Sequence, residues 1–284
     1  MVALSITVPA MSGRPHPPDT TKTAFVAALD ATGKPLTTLT RADWGVREDG
    51  VDRSIVEAVR ATEPLQLVIL IDTTKAVQPV VGDVRTALAT FVAAIRSGAP
   101  DTEIALVGFG GSSVPLADFG RSPADLDRAV QRLFPDERES SALLESIVDV
   151  AKTLARRQSP RRAIVAINQE GSTEAGNLSP QAVAEAVFNS GASFWSVSYR
   201  TKQTGTAPQS RQIVLDALPQ QAAGVHVLVN MPLALGANLT RVAEVLSAQY
   251  AVTYTRPDGA TPKVLQMAVA HPRAQMLVPR TPPR

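Results

Sequence analysis

Residues 65–76 read LQLVILIDTTKA, a run of apolar and largely β-branched side chains that stops abruptly at Asp72. Such a run is typical of a strand buried on both faces, as in a parallel sheet covered by helices. Open α/β sheets bind their ligands beyond the carboxyl ends of the strands. Asp72 and the hydroxyl of Thr74 are therefore expected at a binding edge of a parallel sheet.

From residue 65 onwards, the chain alternates between predicted strands and predicted helices. In residues 82–96 the apolar side chains have the spacing of one helix face. By the same argument, helices are predicted at 123–134, 141–156, 180–189, 210–222 and 239–248, and strands at 103–109, 114–119, 162–167, 192–199 and 225–229. The alternation predicts an α/β domain over residues 63–248, with a Rossmann-like, mainly parallel sheet and helices on both faces.

The segments on either side of this domain have a different pattern of apolar and turn residues. Residues 23–62 have the short alternations and turn residues of several β-strands. Residues 250–256 and 264–270 flank Pro257-Asp-Gly259, a signal that predicts a hairpin within residues 249–284. Each group of strands alone is too small to be stable, so we expect the two ends of the chain to form one small β attachment.

Composition restricts the function further. The net charge is only +2, the Arg residues are scattered and aromatic residues make up 4%, which argues against a nucleic-acid-binding surface. The chain has no cysteine, which excludes disulfides and thiol nucleophiles, and its three scattered histidines disfavour a zinc site or a catalytic triad. No segment has the ~18 apolar residues that a membrane-spanning helix requires.

The first 22 residues are rich in Pro, Ser and Thr and are predicted to be a disordered tail. Their apolar start, MVALSITVPAMSG, lacks a basic region and is broken at Pro9, so it is at most the remnant of a signal peptide.

Three parts of the sequence together resemble a known family. DTTKA at 72–76 is similar to the Asp-x-Ser-x-Ser sequence that begins the metal site of von Willebrand factor type A domains. The preceding segment resembles the one before the A domain in bacterial proteins called VWFA-related; the matching residues are Asp30, Gly33, Pro35, Leu39, Thr40, Asp43, Trp44, Val46, Glu48, Asp49 and Gly50. QYAVTYTRPDG at 249–259 resembles the closing hairpin of that group, so the resemblance covers about residues 23–280.

The resemblance implies a Rossmann-like A domain whose loops bind Mg²⁺ at a metal-ion-dependent adhesion site, with a carboxylate of a partner protein completing the octahedron. It also implies a periplasmic or secreted protein. Residue by residue, Asp72 matches the first carboxylate, Thr74 the first serine, and Ser141 the threonine of the Gly-Gly-Thr-Ala-Leu loop.

Two positions depart from this metal-site pattern. Ala76 takes the place of the second serine and has no oxygen to offer, and Gln169 takes the place of an aspartate. Mg²⁺ requires hard oxygen ligands in strict geometry, and the neighbouring Lys75 adds a repulsive charge. The resemblance therefore implies a degenerate site that binds Mg²⁺ weakly at most, and we expect no other cofactor.

Two structural roles remain open for this site. Glu139 or Glu170 could replace the missing ligand. Alternatively the pocket is vestigial, and Asp72 only caps the segment that follows it.

Three functions remain open as well. The first, which we favour, is a non-enzymatic adhesion or scaffold module that binds an unknown protein partner through Asp72, Thr74, Lys75, Ser141, Gln169 and Glu170. The second is a metal-assisted hydrolase that uses Asp72. The third is a purely architectural role in a larger envelope assembly. No nucleophile–base pair and no phosphate-binding loop is recognisable, so no catalytic residue is assigned.

Overall fold

The computed structural model describes residues 19–137, 139–157, 159–201 and 206–283. In these ranges the strands are β1 (Asp19–Leu29), β2 (Trp44–Glu48), β3 (Val51–Arg53), β4 (Ile55–Arg60), β5 (Leu65–Asp72), β6 (Glu103–Phe109), β7 (Ser113–Gly120), β8 (Arg161–Gln169), β9 (Ser193–Tyr199), β10 (His226–Val229), β11 (Tyr250–Pro257), β12 (Leu265–Val269) and β13 (Gln275–Leu277). The α-helices are α1 (Val81–Gly98), α2 (Pro123–Gln131), α3 (Leu143–Arg157), α4 (Pro180–Ser190), α5 (Gln209–Gln221) and α6 (Leu235–Ser247). None of these helices combines the length and apolar character needed to cross a membrane.

The central sheet has six strands in the order β10-β9-β8-β5-β6-β7. Neighbouring strands are parallel from β10 to β6, and only β7 runs antiparallel, as the second strand of a hairpin with β6. The predicted Rossmann-like, mainly parallel sheet with helices on both faces is therefore confirmed.

Strand β5 lies in the middle of this sheet and is buried along its whole length. Its side chains alternate between the two faces: Leu67 and Ile69 pack with α1, α2 and α6, whereas Val68 and Leu70 pack with α3, α4 and α5. Full burial of each such side chain stabilises the fold by about 1.5–3 kcal/mol. The apolar run in the sequence is thus explained by helices that cover both faces.

The β attachment contains strands from both ends of the chain, as predicted. Strand β11 lies between β1 and β4 and is antiparallel to both. A second sheet has the order β12-β2-β3. One face of β1 enters the attachment core through Val26, while Ala27 and Leu29 on its other face join the core of the central sheet.

The predicted start of this region at residue 23 is four residues too late. β1 begins at Asp19, which pairs with Pro257, and Lys22 pairs with Tyr254. Residues 1–18 of the predicted tail lie outside the described residues.

The predicted hairpin between residues 250–256 and 264–270 is wrong. β11 and β12 exist at these places, but β12 pairs with β2, in the register Leu265 to Glu48. The reason is that both edges of β11 are already paired, one with β1 and one with β4. The Pro-Asp-Gly turn thus carries the chain from one sheet to another.

The two attachment sheets enclose a small core and one buried charge cluster. Trp44 packs on Tyr250 with ring centroids 5.1 Å apart. Close by, the fully buried carboxylate of Glu48 accepts hydrogen bonds from Arg256 Nε (3.0 Å), Tyr254 Oη (2.7 Å) and Arg53 Nε (3.0 Å). The two sheets are therefore joined by apolar contact and by a carboxylate from one sheet that binds a guanidinium from the other.

We predict that Trp44→Ala lowers the free energy of unfolding by about 3–5 kcal/mol, because it empties a buried aromatic site. Urea unfolding followed by circular dichroism measures the loss. Val51→Ala, at an attachment position that is 55% exposed, is the control and should change little. An equal loss in both variants would show that the Trp44 packing is not specific.

A second prediction concerns acid. Burial acts to raise the pKa of Glu48, but hydrogen bonds from Arg256, Tyr254 and Arg53 outweigh it and hold the pKa below its usual value of 4.5. A lowered pKa in the folded state adds stability above pH 4.5, and this stability is lost as the pH falls through the folded-state pKa.

Glu48→Gln should therefore be less stable than wild type at neutral pH, and the difference should narrow as the pH falls to about 3. Thermal unfolding of both proteins between neutral pH and about pH 3 measures this stability difference. Glu57→Gln, at an exposed position, is the control. A difference that stays constant with pH would contradict the charge argument.

Candidate functional site

The candidate site lies at the carboxyl edge of the central sheet, where the loops after β5, β6 and β8 meet the start of α3. Close packing between loops requires small residues here. A Cβ on Gly108 would come within 3.0 Å of the Thr73 side chain, and a Cβ on Gly110 within 3.1 Å of it. The carbonyl of Gly110 in turn accepts a hydrogen bond from Ala142 N–H at 2.8 Å. The predicted turn after β6 is thus a contact point for the neighbouring loops.

Asp72, the last residue of β5, is fully buried and accepts hydrogen bonds on both of its oxygens. Oδ1 accepts from Thr74 N–H at 2.9 Å and from Thr74 Oγ1 at 2.7 Å. Oδ2 accepts from Gln169 N–H at 3.2 Å, and Ser172 Oγ lies 3.4 Å from it. The Asp72 carboxylate therefore holds its own loop and ties it to the loop after β8.

Gln169 ends β8 beside Asp72, at the position where the resemblance implies an aspartate. Its side chain is buried and used internally: Oε1 accepts from Ser172 Oγ at 2.7 Å and Nε2 donates to Thr201 Oγ1 at 3.3 Å. An amide can donate and accept at once, whereas a carboxylate can only accept. Gln169 therefore serves as a link between two loops.

Ser141 and Glu174 form the second half of the site. Ser141 Oγ donates to Glu174 Oε1 at 2.9 Å, and Glu174 Oε1 also accepts a hydrogen bond from Leu143 N–H at 2.8 Å. Because Leu143 is the first residue of α3, the Glu174 carboxylate lies at the positive end of that helix. The side chain of Glu174 is 1% exposed and Ser141 is fully buried.

The centre of the site is the guanidinium of Arg211, which comes from the first turn of α5 and is fully buried. Nη1 lies 2.6 Å from Ser141 Oγ and 3.1 Å from Glu174 Oε2. Nη2 lies 3.4 Å from Asn168 Oδ1 and 3.4 Å from the Gln169 carbonyl oxygen. One side chain thus contacts the end of β8, the segment before α3 and the loop that carries Glu174.

The pKa values of neighbouring groups reflect these charges. Burial raises the pKa of the Tyr199 hydroxyl well above its usual value, and the negative charge of Asp72 adds to that effect while Arg211 opposes it. Burial also raises the pKa of Glu174, although Arg211, Ser141 and the amide of Leu143 act in the opposite direction. Asp72, Glu174 and Arg211 therefore act together on one dry, polar site.

The side-chain oxygens of Asp72, Thr74 and Ser141 do not fit a divalent cation. Mg²⁺ needs free oxygen ligands in near-octahedral geometry. Both oxygens of Asp72 already accept hydrogen bonds from the chain, and Ser141 Oγ faces a guanidinium at 2.6 Å. At residue 76 an alanine offers no oxygen. Asp72, Thr74 and Ser141 do lie at one edge of the sheet, as the predicted metal ligands should, but their oxygens are committed to contacts within the chain.

Most of the residues predicted to contact a partner are buried. Asp72, Thr74 and Ser141 are fully buried and Gln169 is 1% exposed, so these four side chains have no surface to offer. In this structure they hold the loops together, and a role in partner binding stays a prediction.

Two of the predicted partner-binding residues do reach solvent. Lys75 lies 3.8 Å from Glu139 rather than pairing with Asp72, and Glu170 pairs with Arg200 through both of its oxygens. These two exposed ion pairs lie at the rim of the buried site.

A wide groove lies directly above the site, with a volume of 1480 Å³. It is lined by residues of the turn at Lys75–Val80, by residues 171–173 and by residues 230–233. Met231 is 66% exposed and Leu233 is 84% exposed. The groove therefore combines exposed apolar side chains with the charged pairs at its rim.

Arg211 and Glu174 were not predicted from the sequence. A signal for Arg211 exists: it precedes Val214, Leu215 and Leu218 at the spacings of one helix face, and all three are buried. This spacing places Arg211 on the helix face that packs against the core. Glu174 lies in the irregular segment between β8 and α4, where no periodicity distinguishes it.

We predict that Asp72→Asn lowers the free energy of unfolding by about 2–3 kcal/mol, because in either orientation the amide NH₂ faces a backbone N–H, that of Thr74 or that of Gln169. Chemical denaturation measures the change. Asp83→Asn is the matched control: Asp83 is exposed at the same edge, so its replacement should cost less than about 1 kcal/mol. If Asp72→Asn left the free energy of unfolding unchanged, the loops would not depend on this carboxylate.

Searches against protein-family models and against curated proteins found no match. Solved structures do match. Proximal thread matrix protein 1 from the mussel byssus, with a zinc-occupied MIDAS motif, is similar over 77% of this chain with a TM-score of 0.52 and 13% identity. Human COPII-coat protein Sec24c is similar over 78% with a TM-score of 0.51 and 10% identity.

This chain spans about half the length of each of these two proteins, 50% and 46% respectively. A von Willebrand factor type A protein from Catenulispora acidiphila matches over 94% of this chain and 73% of its own length, with 13% identity and a TM-score of 0.48. With its parallel sheet in the order β10-β9-β8-β5-β6 and Asp72 at the carboxyl end of β5, the chain has the fold of a von Willebrand factor type A domain.

Proposed function

We propose that this chain is a non-enzymatic interaction module that receives a protein partner in the groove above the site, without a metal ion. The observation that carries the proposal is the pair of exposed apolar side chains, Met231 and Leu233, at the carboxyl edge of the sheet. Exposed apolar side chains grouped along a groove and bordered by charges are typical of interaction surfaces. Adhesion and scaffold roles both fit this arrangement.

The partner would meet two kinds of contact. Met231 and Leu233 would insert into or cover an apolar part of its surface, and Met is a residue type enriched in interfaces. Lys75 and Glu170, at the rim, would act on the rate and orientation of the encounter more than on its strength. The buried residues below contribute by keeping the loops in one conformation.

The alternative of a metal-assisted hydrolase is less well supported. Asp72 is fully buried and both of its oxygens already accept hydrogen bonds from the chain, which disfavours their use by a metal or a water nucleophile. The groove is wide and open, whereas enzyme sites are typically deep pockets in which polar groups converge. A location outside the cytoplasm, as the family resemblance implies, is part of the proposal.

We predict that the double substitution Met231→Asp and Leu233→Asp abolishes partner capture and leaves the melting temperature unchanged, since both side chains are largely exposed. The experiment is a pull-down from an extract of the native host by the wild-type and the variant chains. Val51→Asp, at an exposed apolar residue of the attachment, is the matched control.

A specific partner is one that the wild type and the Val51→Asp variant retain and the groove variant loses. Its capture should be equal with and without EDTA. A partner that the groove variant retains would place the interface elsewhere, and one that EDTA releases would overturn the metal-free part of the proposal.

A further inference from the structure

The buried guanidinium of Arg211 is unusual for its position. An Arg side chain with no exposed surface loses its hydration, and this loss must be offset by paired charge and hydrogen bonds. Arg211 also lies in the first turn of α5, where the helix dipole disfavours a cation. The surroundings must therefore favour a positive charge strongly.

The surroundings consist of oxygen atoms. Arg211 faces the hydroxyl of Ser141, a carboxylate oxygen of Glu174, the side-chain oxygen of Asn168 and the carbonyl of Gln169, at 2.6–3.4 Å. Only Glu174 among them carries a full charge, and its ion pair with Arg211 is almost completely buried. These oxygens come from separate segments of the chain, so a cation between them joins the segments.

Asp72 supplies the second negative charge of the same site. Asp72 does not contact Arg211 directly. It accepts a hydrogen bond from the N–H of Gln169, and the carbonyl of Gln169 accepts one from the Arg211 guanidinium. The site thus contains two buried carboxylates: Arg211 pairs directly with Glu174 and is linked to Asp72 through the backbone of Gln169. A divalent ion that took Ser141 or Glu174 as a ligand would have to displace this side chain.

We infer that Arg211 is a built-in cation, whose guanidinium holds the loops at the carboxyl edge of the sheet in the way that a bound metal ion would. The site is therefore permanently occupied by the chain itself, and its loops are organised without regard to the supply of metal. This inference concerns the interior of the site and stands independently of the partner that the groove receives.

The first test compares cations on the wild-type chain. The melting temperature is measured with EDTA and with Mg²⁺ or Mn²⁺ at about 10 mM, because an ion that binds only the folded state must raise it. We expect the same melting temperature in all three conditions. A rise with Mg²⁺ or Mn²⁺ that EDTA reverses would overturn the inference.

The second test removes the guanidinium and returns it as a free ion. Arg211→Ala should melt about 10 °C lower than wild type, because it leaves the Glu174 carboxylate buried without its partner. Guanidinium chloride at about 20 mM should restore part of this loss, whereas NaCl and urea at equal concentration should not. Equal effects of guanidinium and NaCl would overturn the inference.

A further pair of variants covers the case in which Arg211→Ala does not fold. Arg211→Lys keeps the charge without the planar fork, and Arg211→Met keeps an unbranched chain of similar bulk without the charge. We expect melting temperatures in the order wild type, Lys, Met. If Arg211→Met equals or exceeds Arg211→Lys, the site needs only the packing of the side chain, and the built-in cation is refuted.

Discussion

The burial of β5 on both of its faces is the constraint on which the rest of the molecule depends. With helices on either side, β5 has polar side chains only near its ends, at Gln66 and Asp72. Asp72 stands at one such end, and its carboxylate is fully enclosed. Every hydrogen-bond acceptor on it must therefore be satisfied from within the chain, and the loops after β5 and β8 arrange themselves around it.

The same requirement explains why charge is concentrated at this edge. Burying Asp72 and Glu174 in one site would be costly without a positive charge nearby, since desolvation penalises each carboxylate. Arg211 supplies that charge, and the amino end of α3 adds the partial positive charge of its free N–H groups. The negative charge of the site is thus balanced by groups that the chain itself supplies.

The sequence was sufficient to predict the parts that depend on local pattern. The apolar run before Asp72 and the alternation after it predict the parallel sheet, and both follow from burial over short distances. Arg211 could not be assigned in the same way, because its surroundings come from residues about 40 and 70 positions earlier in the chain. Nothing near Glu174 in sequence shows that it faces a cation.

The attachment shows a second limit of the same kind. A Pro-Asp-Gly turn between two strands predicts that they pair with each other, yet β11 pairs with β1 and β4 instead. Which strands pair depends on the whole fold, because a strand can pair only with an edge that no other strand already occupies. Local turn chemistry therefore identified where the strands lie and failed to identify their neighbours.

The pairing of β1 with β11 has a consequence for how the chain matures. In the register of these strands Asp19 lies opposite Pro257, so β1 leaves the ribosome long before its partner exists. Until then β1 has an unpaired, apolar edge that can pair with strands of other chains. Closing so long a loop is also slow, because the entropy of the intervening chain must be lost before the contacts form. The attachment therefore cannot be completed before β11 has been synthesised, and β1 must remain without this partner strand until then.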